Sequence, residues 1–173
     1  VRRQRQMCIR DSYTYDDAFK MYQEQVKILA DAGIDLIAAE TMINIEETLA
    51  AVDAANSVCD LPIMCTMTVE ADGSIFSGGN AIEASVSLEA AGADAVGINC
   101  SVGPDQLVSV VRSIKENVSI PVIAKPNAGM PTIDDKGQAV YSMNAEDFAS
   151  YMKVLIESGA SVVHCPVSNM RLG

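Results

Sequence analysis

The sequence predicts an α/β protein built on a parallel sheet, and three observations predict it. Apolar runs of strand length alternate with capped, amphipathic helical patterns from Tyr13 to Val163. Three runs are entered through one kind of turn: Ala32-Gly33-Ile34, Ala91-Gly92-Ala93 and Ser158-Gly159-Ala160. Several runs are apolar at consecutive positions, as in parallel strands covered on both faces. Strand, helix, strand, repeated, gives right-handed βαβ units. Five strands and five helices fit either an open doubly wound sheet or part of a (β/α)8 barrel. No Gly-x-Gly-x-x-Gly follows the first strand, which counts against dinucleotide binding.

Each element has a local cause. Thr14 with Asp17 opens the first helix as a capping box, and Phe19, Tyr22, Val26 and Leu29 form its apolar stripe. The first strand covers 34–40. Asn44 with Glu47 opens the second helix, and the second strand covers 62–69. Asn80 with Glu83 opens the third helix, followed by a strand over 93–99. Pro104 stands in the first turn of the fourth helix, which turns Leu107, Val110, Val111 and Ile114 inward. Residues 121–125 form the next strand. Asn144 with Asp147 opens the last helix, and 160–163 forms the last strand. Glycines 33, 92 and 159 supply the left-handed residue that ends a helix.

Composition narrows the function classes. Net charge is -11 with only 12 Lys+Arg, so a phosphate backbone or an anionic membrane would repel the surface. Neither nucleic acid nor membrane is an expected partner. The apolar runs are strand-sized, and there is no secretory h-region. The five cysteines are scattered and odd in number, which fits a reducing, cytoplasmic compartment. At 173 residues the chain holds one domain, short of the roughly 250 of a whole barrel.

The two ends differ from the body. Residues 1–12 carry Arg2, Arg3, Arg5 and Arg10 without apolar periodicity, and the composition changes at Tyr13. They read as a non-native leader, with a native basic arm as the alternative. Residues 13–163 form the domain, and 164–173 form a tail that leaves the pattern.

Polar residues gather where the strands end. In parallel α/β sheets the carboxyl ends of all strands share one rim, and ligands bind there. That rim would carry Glu40-Thr41, Thr68-Val69-Glu70, Asn99-Cys100 and Lys125-Pro126-Asn127-Ala128-Gly129. Cys100 is a candidate metal ligand or nucleophile; the alternative is a small core residue. Glu40 suits a ligand amine, or else charges the N-terminus of the next helix. Asn127 either reaches a ligand or caps a turn before Gly129. Lys125 is either a Schiff-base lysine or a solvated one. Cys65, inside its strand, reads as packing, and Cys59, near a helix end, as inert.

Gly97-Ile98-Asn99-Cys100-Ser101 with Gly103-Pro104, and Lys125-Pro126-Asn127-Ala128-Gly129-Met130-Pro131, together resemble the homocysteine S-methyltransferase family. Glu40-Thr41-Met42 and Ser77-Gly78 also fit, and the likeness runs over about residues 13–163. Within the family it is greatest to homocysteine-binding domains of the cobalamin-dependent class. The resemblance implies a (β/α)8 barrel of which this chain holds the fourth to eighth strands, the first three being missing. It implies a zinc ion held by three cysteine thiolates, with Cys100 as one. The other two would lie in a Gly-Gly-Cys-Cys-Gly-Thr motif after the last strand. Here the chain reads His164-Cys165-Pro166-Val167-Ser168 instead, so at most two thiolates are available.

The implied chemistry is methylation of homocysteine to methionine. Zinc would deprotonate the substrate thiol, and the thiolate would attack a methyl donor. Glu40 would attract the substrate ammonium, while Asn99 and Asn127 would bind its carboxylate or shape the rim. Methylcobalamin is the donor that the likeness favours, carried by a corrinoid module. Two other readings stand beside this one: a barrel aldolase or synthase with Lys125 as Schiff-base lysine, and a non-catalytic fragment. Five barrel strands leave two unpaired edges, which predicts marginal stability or self-association.

Overall fold

The computed structural model describes residues 13–100, 102–129, 132–141 and 143–162. The leader, the tail with His164 and Cys165, and Met130-Pro131 lie outside the described residues. In chain order the elements are α1 (Tyr15–Asp31), β1 (Ile37–Met42), α2 (Ile45–Asn56), β2 (Ile63–Met67), α3 (Ala81–Ala90) and β3 (Ala95–Asn99). They continue with α4 (Pro104–Asn117), β4 (Val122–Lys125), β5 (Thr132–Ile133), β6 (Ala139–Val140), α5 (Ala145–Glu157) and β7 (Ala160–Val162).

The caps form as the spacing requires. Thr14 and Asp17 make the full capping box, with the Asp17 N–H donating to Thr14 Oγ1 at 3.2 Å. Asn44, Asn80 and Asn144 each accept backbone N–H groups in the first turn of α2, α3 and α5. Such a cap stabilises by about 1 kcal/mol. Glycines 33, 92 and 159 all have positive φ, between 80° and 99°. The first strand starts later than expected: Ile34 to Leu36 stay in the turn, and pairing begins at Ile37. A short antiparallel hairpin, β5–β6, interrupts the chain after β4, which the sequence reading did not anticipate.

Strand order is β1-β2-β3-β4-β7, with every neighbouring pair parallel. The order never reverses, so right-handed crossovers place the helices on the same side. A doubly wound sheet would reverse direction at a switch point. The sheet is therefore a run of successive barrel strands, open at β1 and β7 among the described residues.

The register assigns each side chain to a face. Ile63, Cys65, Met67, Val96, Ile98, Val122, Ala124 and Ala160 turn toward the helices and are buried there with Leu88, Leu107, Val111, Ile114 and Leu155. Alternate positions turn to the other face, the inside of the barrel: Ala38, Glu40, Met64, Thr66, Ala95, Gly97, Asn99, Ile123, Lys125 and Ser161. Ala38 and Ser161, near the open ends of this face, are exposed, while Gly97, Asn99 and Ile123 at its middle are buried. The expectation of cover on both faces is corrected: helices cover one face only, and the other is the barrel's inner face, exposed toward its open ends.

Candidate functional site

The rim predicted at the strand ends forms, and it brings Glu40, Thr41, Asn99, Cys100, Lys125 and Asn127 into contact. Glu40 and Thr41 lie in the last half of β1, Asn99 finishes β3 with Cys100 immediately after it, and Lys125 finishes β4. Asn99 is the centre. It is fully buried, and its Oδ1 accepts the Thr41 backbone N–H at 3.0 Å. Its Nδ2 donates to Thr41 Oγ1 at 2.6 Å and lies 3.3 Å from Cys100 Sγ and 3.4 Å from Glu40 Oε1. An amide with its groups turned to protein partners acts by holding its neighbours in place.

Two of those neighbours sit in a conformation that side chains seldom adopt. Thr41 and Cys100 both have φ of 61°, the left-handed region, and for a β-branched residue such as Thr41 that is a clear outlier. Backbone strain of this sort costs on the order of 1–3 kcal/mol and persists where surroundings enforce it. Here the enforcing contacts are the two Asn99 hydrogen bonds to Thr41, together with the Cys100 N–H donating to Lys125 O at 3.1 Å. The turn at Cys100 breaks the strand's alternation and leaves its thiol exposed, 3.8 Å from Thr41 Oγ1. Asn127 closes the far side by donating its Nδ2 to the Cys100 carbonyl.

Lys125 and Glu40 form an ion pair across the inner face of the sheet, with side chains 18% and 38% exposed. The lysine is thus not freely solvated, and its engagement with Glu40 favours an electrostatic role over a nucleophilic one. Glu40 faces the inside of the barrel beside Asn99 and Lys125. Thr68 Oγ1 donates to Asn99 O at 3.4 Å, which ties in the end of β2. Ser77 and Gly78 lie on an exposed loop beyond it.

The other cysteines follow their environments. Cys65 is fully buried, and burial pushes its thiol up to about 12. Cys59 is half-buried, with its Sγ 3.7 Å from Ala55 O. Among the described residues, no three His, Cys, Asp or Glu side chains come together to hold a metal ion. Cys100 offers one sulfur of the right chemistry, exposed at the rim. Further thiolates of the implied zinc set are not among the described residues.

Two features of the rim were not legible in sequence. Nothing in Thr41 itself signals a left-handed backbone, because the Asn99 amide that enforces it is 58 residues away. Gly97 matters through contact: a Cβ there would lie 1.9 Å from the Ile123 carbonyl oxygen on β4. The register offers a signal for the ion pair, since Glu40 and Lys125 share one face.

Comparison with known proteins settles the kinship. A family model described as Homocysteine S-methyltransferase matches residues 4–164. The chain belongs to that family. It is 30% identical to methionine synthase of Mycobacterium tuberculosis (strain ATCC 25618 / H37Rv) and 29% identical to methionine synthase of Mycobacterium leprae (strain TN), each over 90% of this chain. It spans only 13% and 12% of those two proteins. Among solved structures, the apo homocysteine methyltransferase MmuM of Escherichia coli superposes with TM-score 0.68 at 18% identity, covering 87% of this chain and 51% of that one. The carboxyl transferase domain of Rhizobium etli pyruvate carboxylase reaches 0.57 at 18% identity, covering 84% and 24%. At such identities the structures share the fold alone: this chain is part of a (β/α)8 barrel.

Proposed function

We propose that this chain is the homocysteine-binding part of a methyltransferase that makes methionine, a segment of a longer barrel whose remaining strands complete the site. One observation carries the reading: the exposed Cys100 stands at the rim beside Glu40, Thr41, Asn99 and Asn127, in a left-handed backbone conformation held by hydrogen bonds around it. Family membership supports the same substrate.

In this reading Cys100 is one of the thiolate ligands of a zinc ion. Zinc, when bound, lowers the substrate thiol's proton affinity so that its thiolate is available at neutral pH. The chain's own residues do the rest. Glu40 attracts the substrate ammonium. Asn99 fixes the directions of Cys100 and Glu40 from below, a supporting role alongside the contact with substrate first expected of it. Asn127 holds the Cys100 carbonyl and borders the place where the substrate carboxylate would lie. Methylcobalamin is the donor we favour, delivered by a separate corrinoid module, and the cytoplasm is the compartment.

The test is calorimetric titration of the zinc-supplied whole barrel, this chain joined to its remaining strands, with homocysteine. Homocysteine binds the parent, while Cys100→Ala abolishes binding without changing the far-ultraviolet circular dichroism. Undiminished binding by Cys100→Ala overturns the assignment. Borohydride trapping of a carbonyl substrate on Lys125 would favour the aldolase reading instead.

A further inference from the structure

We infer that Thr41 is a positioning residue: its hydroxyl donates to the Cys100 sulfur and keeps that thiolate from taking the methyl group itself. The inference rests on the reading above, in which Cys100 is a metal-ligating thiolate and the substrate sulfur is the nucleophile.

Thr41 is an unusual residue for its position. Its φ of 61° suits glycine or asparagine, and a β-branched side chain there is strained. Strain that the surroundings hold in place points to a use. The pairing of β1 with β2 slips beside it, between Ala39 and Met42, and such irregularities re-aim a side chain. One amide then fixes the threonine twice: Asn99 Oδ1 accepts its N–H at 3.0 Å, and Asn99 Nδ2 donates to its Oγ1 at 2.6 Å. A hydroxyl oxygen that accepts from Asn99 sends its own proton elsewhere. Among the described residues the atom within reach is Cys100 Sγ, 3.8 Å away. A thiolate has no proton to give, so in that pair Thr41 is the donor. Asn99 Nδ2 lies 3.3 Å from the same sulfur, but it also serves Thr41 Oγ1 and faces Glu40 Oε1.

A donor on the sulfur changes its reactivity. The thiolate's charge draws the hydroxyl proton, and that charge is lost as the sulfur forms its bond to carbon. The hydrogen bond is therefore stronger before the reaction than at its transition state, and it raises the barrier. The proposed chemistry needs such a brake, because protein thiolates and substrate thiolate face the same methyl donor. A methylated Cys100 would be a neutral thioether and a poor ligand. With the Thr41 hydroxyl spent on Cys100, the incoming substrate sulfur is the less restrained nucleophile.

The test exposes the zinc-supplied whole barrel, without homocysteine, to methyl iodide. Thiolate attack forms an S–C bond and expels iodide with the C–I electron pair, and peptide mass mapping reads methylation at Cys100. Thr41→Val keeps the branched shape but loses the hydroxyl, and its Cys100 is methylated about threefold to tenfold faster than in the parent. Thr41→Ser restores the parental rate. Cys59, beyond the C-terminal end of α2, reacts alike in all three. If the buried Cys65 becomes methylated in Thr41→Val, that variant has lost its fold and Thr41→Ala is read in its place. Cobalt(II) in place of zinc separates this inference from the reading beneath it. Cys100→Ala weakens the sulfur-to-cobalt absorption, and Thr41→Val moves it to longer wavelength. If Cys100→Ala leaves the absorption intact, the homocysteine reading falls and this inference with it. If the absorption weakens as expected, an unchanged methylation rate in Thr41→Val overturns this inference alone, and so does an unchanged absorption maximum.

Discussion

Gly97→Ala is the substitution that most directly tests the coupling of strand packing to the rim. The ideal Cβ at Gly97 falls 1.9 Å from Ile123 O, 2.7 Å from its carbonyl carbon and 2.8 Å from its nitrogen. All three atoms are backbone, so no side chain can swing aside. Reaching even a 3.0 Å contact means that β3 and β4 must part locally by about 1.1 Å. Overpacking a well-filled site costs about 1–3 kcal/mol, and each ladder hydrogen bond loosened adds about 1 kcal/mol. The expected loss is about 3 kcal/mol, a large part of the 5–15 kcal/mol of a typical domain. Gly33→Ala is the control: its φ is 80° but nothing lies within 4 Å, so only the backbone penalty of about 1–2 kcal/mol applies. Urea unfolding in reducing buffer measures both. With a slope of about 1–3 kcal/mol/M, the Gly97→Ala midpoint falls by roughly 1–3 M. Equal midpoints for the two variants would refute the steric argument. Because Asn99 and Cys100 follow on the same strand, Gly97→Ala also changes the alkylation rate of Cys100, which Gly33→Ala leaves alone.

Two further outcomes follow from buried polar groups. Asn99→Leu leaves the Thr41 N–H without its acceptor and costs about 1–3 kcal/mol; unfolding measures the loss, and an unchanged midpoint would show that the amide does not hold this turn. Cys65 governs part of the alkaline limb. Its native thiol keeps its proton up to about 12, whereas the unfolded thiol releases it near 8.5–9. Between those values the unfolded state binds fewer protons, so stability falls as pH rises, by up to about 1.4 kcal/mol per unit. Cys65→Ala flattens that slope in unfolding midpoints taken from pH 8 to 10.5. At pH 8 iodoacetamide labels Cys100 in the native chain and reaches Cys65 only through unfolding, as peptide mass mapping will report.

Much of the architecture was legible because its causes are local. A side-chain oxygen three residues before a backbone donor makes a cap wherever it occurs, and Thr14, Asn44, Asn80 and Asn144 all do so. Glycine alone enters the left-handed turn freely, which marked helix ends at Gly33, Gly92 and Gly159. Strand ends could be listed, and Glu40, Asn99, Cys100 and Asn127 do lie together. The β5–β6 hairpin went unseen because its two-residue strands carry too few side chains to show a period.

What the linear chain determined by itself was the alternation of elements, their caps, and the set of polar residues delivered to one rim. Tertiary structure alone decided which of them touch. Lys125 meets Glu40 across 85 residues, and Asn99 bends Thr41 into a left-handed turn across 58. Both depend on strand register and sheet curvature, which are set by packing between elements far apart in sequence. The same packing separated a barrel segment from a doubly wound sheet, since only the order in which strands lie side by side tells the two apart.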